Sequence, residues 1–446
     1  MTPAHQTRPV PYVTRRRFLQ TAAVAASTLP AWFQAESDAA TPPAPRLGPN
    51  DQPAVALVGC GGMGRGDAKN AARFGRIVAL CDVDATNLAK AKQDHPGTDT
   101  YRDFREVMAR GDIHAVVCGT VDHWHTLVSM AAMRSGKDVY CEKPLTLTID
   151  EGKRLVKVAR DMKRVLQTGS QQRSDRNFRL ACELVRNGRL GKLRHIEVWL
   201  PAGLRAGPFQ SSPVPEGFDW DFWQGQTSAV DFVKERSHTT FRYWWSYSGG
   251  TMTDWGAHHN DIALWALGLD PNGPVRVEGK PLAVPITGGY TAVSEYEVTF
   301  TYANGVTQTT RSTTADTIFG GVAKPDGQRH GIKFIGSEGW LWVTRGNLQA
   351  SQPGLIEEPL PATAIRLPKS DDHMGNFFDC VRTRAQPICH AEVGHRSASL
   401  CHLGVIAMRL GRPLRWDPER ERFVGDREAN EYLAREQRKP FTYDMV

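Results

Sequence analysis

The stretch Ala54-Val55-Ala56-Leu57-Val58-Gly59-Cys60-Gly61-Gly62-Met63-Gly64 decides how the rest of the chain is read. A short apolar run closed by glycines reads as a buried parallel strand. Gly59, Gly61 and Gly64 then fall in the spacing G-x-G-x-x-G. The first glycine permits a tight turn, the second a close approach of backbone to a pyrophosphate, and the third close packing of helix on strand. Gly62 and Met63 sit between them, at the start of a helix expected over residues 65–74, whose free N–H groups favour phosphate. A second strand, Arg76 to Cys81, ends at Asp82. A carboxylate about 20 residues past the glycines accepts hydrogen bonds from ribose hydroxyls and repels a 2′-phosphate. Val83-Asp84 follow it, with no Arg, so NAD is favoured over NADP.

The alternation continues outward from that unit. Helices are expected over Asn87 to Gln93, Thr100 to Arg110, Leu127 to Ser135 and Asp150 to Lys163. Strands are expected at Ile113 to Thr120, Asp138 to Cys141 and Val165 to Thr168. This order predicts an α/β fold with a doubly wound parallel sheet, a Rossmann domain over residues 52–171. Ligands sit beyond the carboxyl ends of such strands. Those ends carry Gly59–Gly64, Asp82, Thr120–His125, Glu142–Pro144 and Gly169–Gln172.

Residues 172–446 read as a second α/β domain. Leu193 to Leu200 and Glu295 to Tyr302 alternate as strands, and Asn304-Gly305 turns the latter into Val306 to Thr313, a strong hairpin signal. Ile332 to Ile335 and Trp340 to Thr344 extend a mostly antiparallel, open-faced sheet. Helices follow at Asp371 to Arg382 and Gly394 to Leu410, and a charged tail from Arg412 reads as a surface wrap. Ser248 to Trp265 reads as a helix after a glycine-rich turn. Asp254, His258 and Asp261 share one helical face at spacings of four and three. A carboxylate beside an imidazole fixes its tautomer and raises its basicity, as a proton carrier requires. His259 lies one step round and reads as a packing residue. Phe241, Tyr243, Trp244, Trp245 and Tyr247 precede that helix; such rings stack on sugars or fill cores.

The glycine motif, Asp82, Thr120-Val121-Asp122-His123-Trp124-His125 and Gly136-Lys137-Asp138-Val139-Tyr140-Cys141-Glu142-Lys143-Pro144-Leu145 together resemble the Gfo/Idh/MocA oxidoreductases, the family of glucose–fructose oxidoreductase and inositol dehydrogenase. The resemblance runs over about residues 53–415. It implies a sugar or polyol dehydrogenase whose catalytic group is Lys143, Asp254 and His258. It also implies cofactor contacts from Gly59, Gly61, Gly62, Met63, Gly64, Asp82, Thr120, His123, His125, Glu142, Lys143 and Gln171. Substrate contacts are expected from Lys143, Trp244, Tyr247, Asp254, His258 and Asp261. A homo-oligomer, dimer or tetramer, is implied as well. Part of the family cleaves glycosidic bonds by transient oxidation and elimination; those members generally lack the lysine of Glu-Lys-Pro, which this chain keeps. A non-catalytic sugar-binding or sensor protein is the third reading, against which the intact Lys143, Asp254 and His258 speak.

The N-terminus has a different character. Thr14-Arg15-Arg16-Arg17-Phe18-Leu19-Gln20 precedes a modest apolar stretch, Thr21 to Phe33, and a small-residue and proline stretch, Ala39 to Pro49. This resembles a twin-arginine signal peptide over residues 1–40, with cleavage near 35–40, a linker over 41–51 and a periplasmic destination. That route, as the resemblance implies, carries folded, cofactor-loaded proteins. Free NAD is not expected outside the cytoplasm, so the cofactor is expected to stay bound and be recycled.

The 446 residues are 40% apolar and 23% charged, which places the chain among globular proteins. The net charge is +7, of which +3 lies in the first 50 residues (five Arg, one Glu, one Asp), leaving about +4 spread over the rest. Scattered charge of that size does not suggest nucleic acid as a partner. No apolar run reaches the about 18 residues of an ordinary membrane span. The eight cysteines show no C-x-x-C pair, so no structural metal and no essential disulfide are expected.

Overall fold

In the computed structural model, residues 29–38, 52–268, 273–314 and 330–446 are described. The arginine pair and the linker over 41–51 lie outside them.

Strands β1 (Ala54–Val58), β2 (Arg76–Cys81), β3 (Asp99–Tyr101), β4 (Ala115–Cys118), β5 (Asp138–Cys141) and β6 (Leu166–Thr168) form one parallel sheet in the order β3-β2-β1-β4-β5-β6. The order reverses at β1, between its neighbours β2 and β4. Every residue of β1 is buried, as a strand covered by helices on both faces requires. The helix after β1 runs Gly62–Ala71, three residues earlier than its periodicity suggests, because the glycines themselves form its first turn. Thr100 to Arg110 is not one helix. The edge strand β3 ends at Tyr101, and a helix over Phe104–Ala109 starts where the Asp103 carboxylate accepts from the Arg105 N–H. Three residues on an edge carry too little pattern to read; pairing with β2 makes the strand.

Strands β7 (Leu193–Leu200), β8 (Arg276–Pro281), β9 (Tyr296–Thr301), β10 (Thr307–Ser312), β11 (Gly331–Gly336), β12 (Trp340–Thr344), β13 (Asn347–Ala350), β14 (Leu414–Asp417) and β15 (Arg422–Phe423) form the second sheet, ordered β13-β12-β11-β7-β10-β9-β8-β14-β15. Only β7 and β10 pair in parallel; the other ladders are antiparallel. The Asn304-Gly305 hairpin joins β9 to β10 as expected. Burial alternates along both strands. One face packs under helices Arg176–Arg186, Gly256–Leu267 and Ala391–Leu410, and the other is half open.

The tail is more than a surface wrap. Phe441 is buried in the core of the first domain, stacked on Phe222 and edge-on to Trp124. The Arg438 guanidinium donates to the Gly225 carbonyl and bridges to Asp221. The chain thus returns to the domain it began with. All eight cysteines are free and buried. Among the described residues, no helix is long and apolar enough to cross a membrane, and no cluster of His, Cys, Asp and Glu could hold a metal.

Candidate active site

A cavity of about 970 Å³ opens at the carboxyl ends of β1, β2, β4 and β5 and runs to the start of the helix Gly256–Leu267. Its two ends are built in different ways.

At one end, backbone makes the wall. Gly59 has φ +91°, and a Cβ there would lie 2.5 Å from the Thr120 nitrogen. A Cβ on Gly64 would lie 1.9 Å from the Gly59 carbonyl, so the helix reaches the strand end only because Gly64 is bare. Around Gly61 and Gly62 the protein leaves open space: a Cβ on either meets nothing within 4 Å. Gly61 caps the helix with no side chain on its free N–H groups, and Met63 stands out at 55% exposure. This is a cradle shaped for a group that brings its own oxygens. Asp82 accepts from the Cys60 N–H at 2.6 Å and the Asp84 N–H at 2.8 Å. Burial pushes its carboxyl up to about 6, against the pull of those two bonds. Glycine loop, free helix end and the Asp82 carboxylate on the cavity wall therefore fit a dinucleotide.

Sequence reading missed the roof over this end. Residues 217–238, from the second half of the chain, cross the first domain. Ala85 N–H donates to the Gly217 carbonyl at 3.0 Å, and Asp219 N–H to Val83 at 3.1 Å. Arg102 bonds the carbonyls of Val83 and Gly217. His238 Nε2 lies 2.7 Å from the Asp84 carboxylate. Phe218, Phe222 and Trp223 line the cavity from this strap. The crowded aromatics Phe218, Trp220, Phe222 and Trp223 were the signal that could have found it.

At the other end, side chains from distant segments make the wall. Lys143, at the end of β5, places its ammonium 2.6 Å from the Asp254 carboxylate. Arg242 lies 3.4 Å from the second Asp254 oxygen. Burial would raise the Asp254 carboxyl, but Lys143 and Arg242 hold it below the usual carboxylate range. His258 shares the wall with Trp255, Arg242, Arg345, Gln171 and Gln172. Burial pushes the His258 imidazole well below its ordinary value, and the charges of Lys143 and Arg345 push it the same way. It therefore stays neutral, as a proton acceptor must.

The expected pairing of Asp254 with His258 is corrected by this geometry. The helix is interrupted at Trp255, and the Asp254 carboxylate turns to two cations, against which a neutral imidazole cannot compete. Among the described residues, His258 Nδ1 is buried with no hydrogen-bond partner. Asp261 also departs from expectation. It is fully buried in a two-bond ion pair with Arg173, at 2.8 Å each, and does not reach the cavity. Trp244 and Tyr247 likewise lie off the cavity wall, in an aromatic core with Phe218, Trp220 and Trp223. Trp244 donates its indole N–H to the Glu235 carbonyl. Large rings that fill a core this completely have no face left for a sugar.

His123 and His125 were expected beside the cofactor, yet both are buried behind the wall. His123 Nε2 lies 2.8 Å from the Trp223 carbonyl. His125 Nδ1 lies 2.7 Å from the Pro144 carbonyl, so it anchors the turn that carries Lys143. Thr120 lines the cavity, as do Glu142 and Gln171; the Gln171 amide donates to Glu142 at 2.9 Å. His259 faces away, toward Gln172 and His330, at 3.1 and 3.0 Å.

Comparison with known proteins shows the family. Residues 54–170 match the family model described as an oxidoreductase family with an NAD-binding Rossmann fold. Residues 202–443 match the model for the C-terminal alpha/beta domain of the same family. The chain belongs to the Gfo/Idh/MocA oxidoreductase family. Its first domain is accordingly an NAD-binding Rossmann domain. Among relatives, the myo-inositol 2-dehydrogenase of Thermotoga maritima is 25% identical over 216 residues, 48% of this chain and 54% of that one. A glycosyl hydrolase family 109 protein of Shewanella pealeana is 29% identical over 206 residues, 42% of this chain and 45% of that one. The chain thus spans about half the length of the curated relatives it matches. In fold, it is similar to the aldose-aldose oxidoreductase from Caulobacter crescentus complexed with glycerol, with a TM-score of 0.59 and 19% identity, over 82% of this chain and 99% of that one.

Proposed function

We propose that the protein is an NAD-dependent oxidoreductase acting on a carbinol of a sugar, polyol or glycoside, with a cofactor that stays bound and is recycled on the enzyme. The observation that carries this reading is the Lys143–Asp254 pair on one cavity wall with a neutral His258. When bound, NAD supplies the hydride acceptor. Lys143, fixed by Asp254, donates a hydrogen bond to the carbinol oxygen and stabilises the charge that develops there. His258 takes the hydroxyl proton; its burial among cations lets it hold that proton only briefly. Asp254 acts by positioning Lys143. Gly59, Gly61, Gly62, Gly64 and Asp82 would hold the dinucleotide, with further contacts from Thr120, Glu142 and Gln171.

Cofactor retention is supported by the strap over the adenosine end. Export by the twin-arginine route to the periplasm gives retention its reason. In that setting either a second substrate restores the cofactor, or the hydride returns to the same sugar. Replacing Arg15 and Arg16 by Lys is expected to leave folded, cofactor-loaded protein in the cytoplasm, as fractionation would show; continued export would contradict the route. The half-open face of the second sheet is the proposed surface for self-association.

The similarity to a glycosyl hydrolase family 109 protein favours a second reading, elimination of a glycoside after transient oxidation. One experiment separates the two. Purified protein is mixed with single sugars, polyols and aryl glycosides while NADH absorbance and aglycone release are followed. Lasting NADH formation with a sugar or polyol supports the dehydrogenase. Aglycone release without net NADH supports elimination. Neither signal with any compound contradicts both.

A further inference from the structure

The helix Ala31–Asp38 overlaps the apolar stretch that reads as the end of a leader, yet it is built into the fold. Phe33 is 1% exposed and belongs to the main core, in one cluster with Ile149 and Phe178. The Arg179 guanidinium lies 4.7 Å from the centre of its ring. Trp32 donates its indole N–H to the Ile356 carbonyl at 3.1 Å. Glu36 pairs with Arg366 at 2.8 Å. The Phe33 and Gln34 N–H groups both bond back to the Pro30 carbonyl, and the Gln34 amide donates to the Leu29 carbonyl. Core packing, an indole bond and an ion pair thus tie one helix to partners more than 100 residues away.

We propose that Ala31–Asp38 is a permanent element of the working protein, and that proteolytic removal of a leader, where it occurs, falls N-terminal to Leu29. Cleavage near residues 35–40 would release Phe33 from the core or leave it there unattached. Peptidases cut accessible, extended backbone, whereas this segment is helical and docked. The consequence reaches the active site. Phe33 shares its core cluster with Phe178 and lies under Arg179, both in the helix Arg176–Arg186. The cap of that helix, Asp175, accepts from the N–H groups of Asn177 and Phe178 and lines the cavity.

The test is the intact mass and N-terminal sequence of protein produced from the full chain and recovered after any processing. Chains that all contain Ala31–Asp38, cleaved upstream or not cleaved at all, are expected. Chains beginning at Trp32 or later would overturn the proposal. Phe33→Ala in the full chain is expected to lower the melting temperature by several degrees, since a large buried ring is lost. If that variant does not fold, Phe33→Leu is expected to fold with a smaller fall. A melting temperature unchanged by Phe33→Ala would overturn the proposal even with the helix retained.

Discussion

The two ends of the cavity reach the same purpose by opposite means. At the dinucleotide end, recognition is written into backbone: bare glycines, a free helix end and one carboxylate fixed by two N–H groups. At the end proposed for the substrate, the wall is made of side chains brought from Lys143, Arg242, Asp254, His258 and Arg345. A backbone site depends on shape and tolerates no added atom. A side-chain site depends on charge and tolerates changes of shape better than changes of charge. The largest expected effect follows from the first statement. Gly64→Ala would drive a methyl into the Gly59 carbonyl, where 1.9 Å is available. Loss of measurable NAD binding in calorimetry is expected; retained affinity would break the contrast.

The two ends also differ in how they titrate. Asp82 gains a proton as pH falls through about 6, because burial raises its carboxyl. The protonated form loses a hydrogen-bond acceptor, so NAD affinity is expected to fall below that pH, by about tenfold for a loss of about 1.4 kcal/mol. His258 protonates only well below its ordinary range. Turnover at saturating NAD is therefore expected to stay level as pH falls through 6.5 and to drop only at lower pH. A common midpoint near 6.5 for affinity and turnover would erase the distinction.

The smallest effect concerns residues that are near the site but not in it. Trp244→Phe removes part of a core ring and the bond to the Glu235 carbonyl. A lower melting temperature with the substrate KM changed less than about twofold is expected, since core losses act on stability rather than on contacts at the site. A large KM effect would return Trp244 to the substrate wall.

The same contrast explains what the sequence disclosed. Gly59, Gly61, Gly64 and Asp82 were legible because each acts within one strand–turn–helix unit, where spacing dictates geometry. The place of Lys143 and His258 on the cavity wall was legible through the family motif, and the Asn304-Gly305 hairpin through its turn chemistry. The partner of Asp254 was not. Its spacing to His258 suggested a pair on one helix, but a lysine 111 residues away reaches its carboxylate at 2.6 Å. Asp261 shows the same limit, since its partner Arg173 lies 88 residues back. The strap over the glycine-loop end and the return of Phe441 also depend on contacts between segments remote in the chain. Periodicity reports which residues share a face and says nothing of what that face meets.

The central claim is that charge at Lys143 and a neutral base at His258 perform the chemistry after backbone has bound the cofactor. It is tested most directly by single-turnover kinetics of Lys143→Met and His258→Asn, loaded with NAD and mixed with a sugar or polyol that the parent oxidises. NADH formation slowed by about 10²–10⁴-fold in each, with NAD still bound in both, is the expected result. Parental rates of NADH formation in both variants would contradict the account.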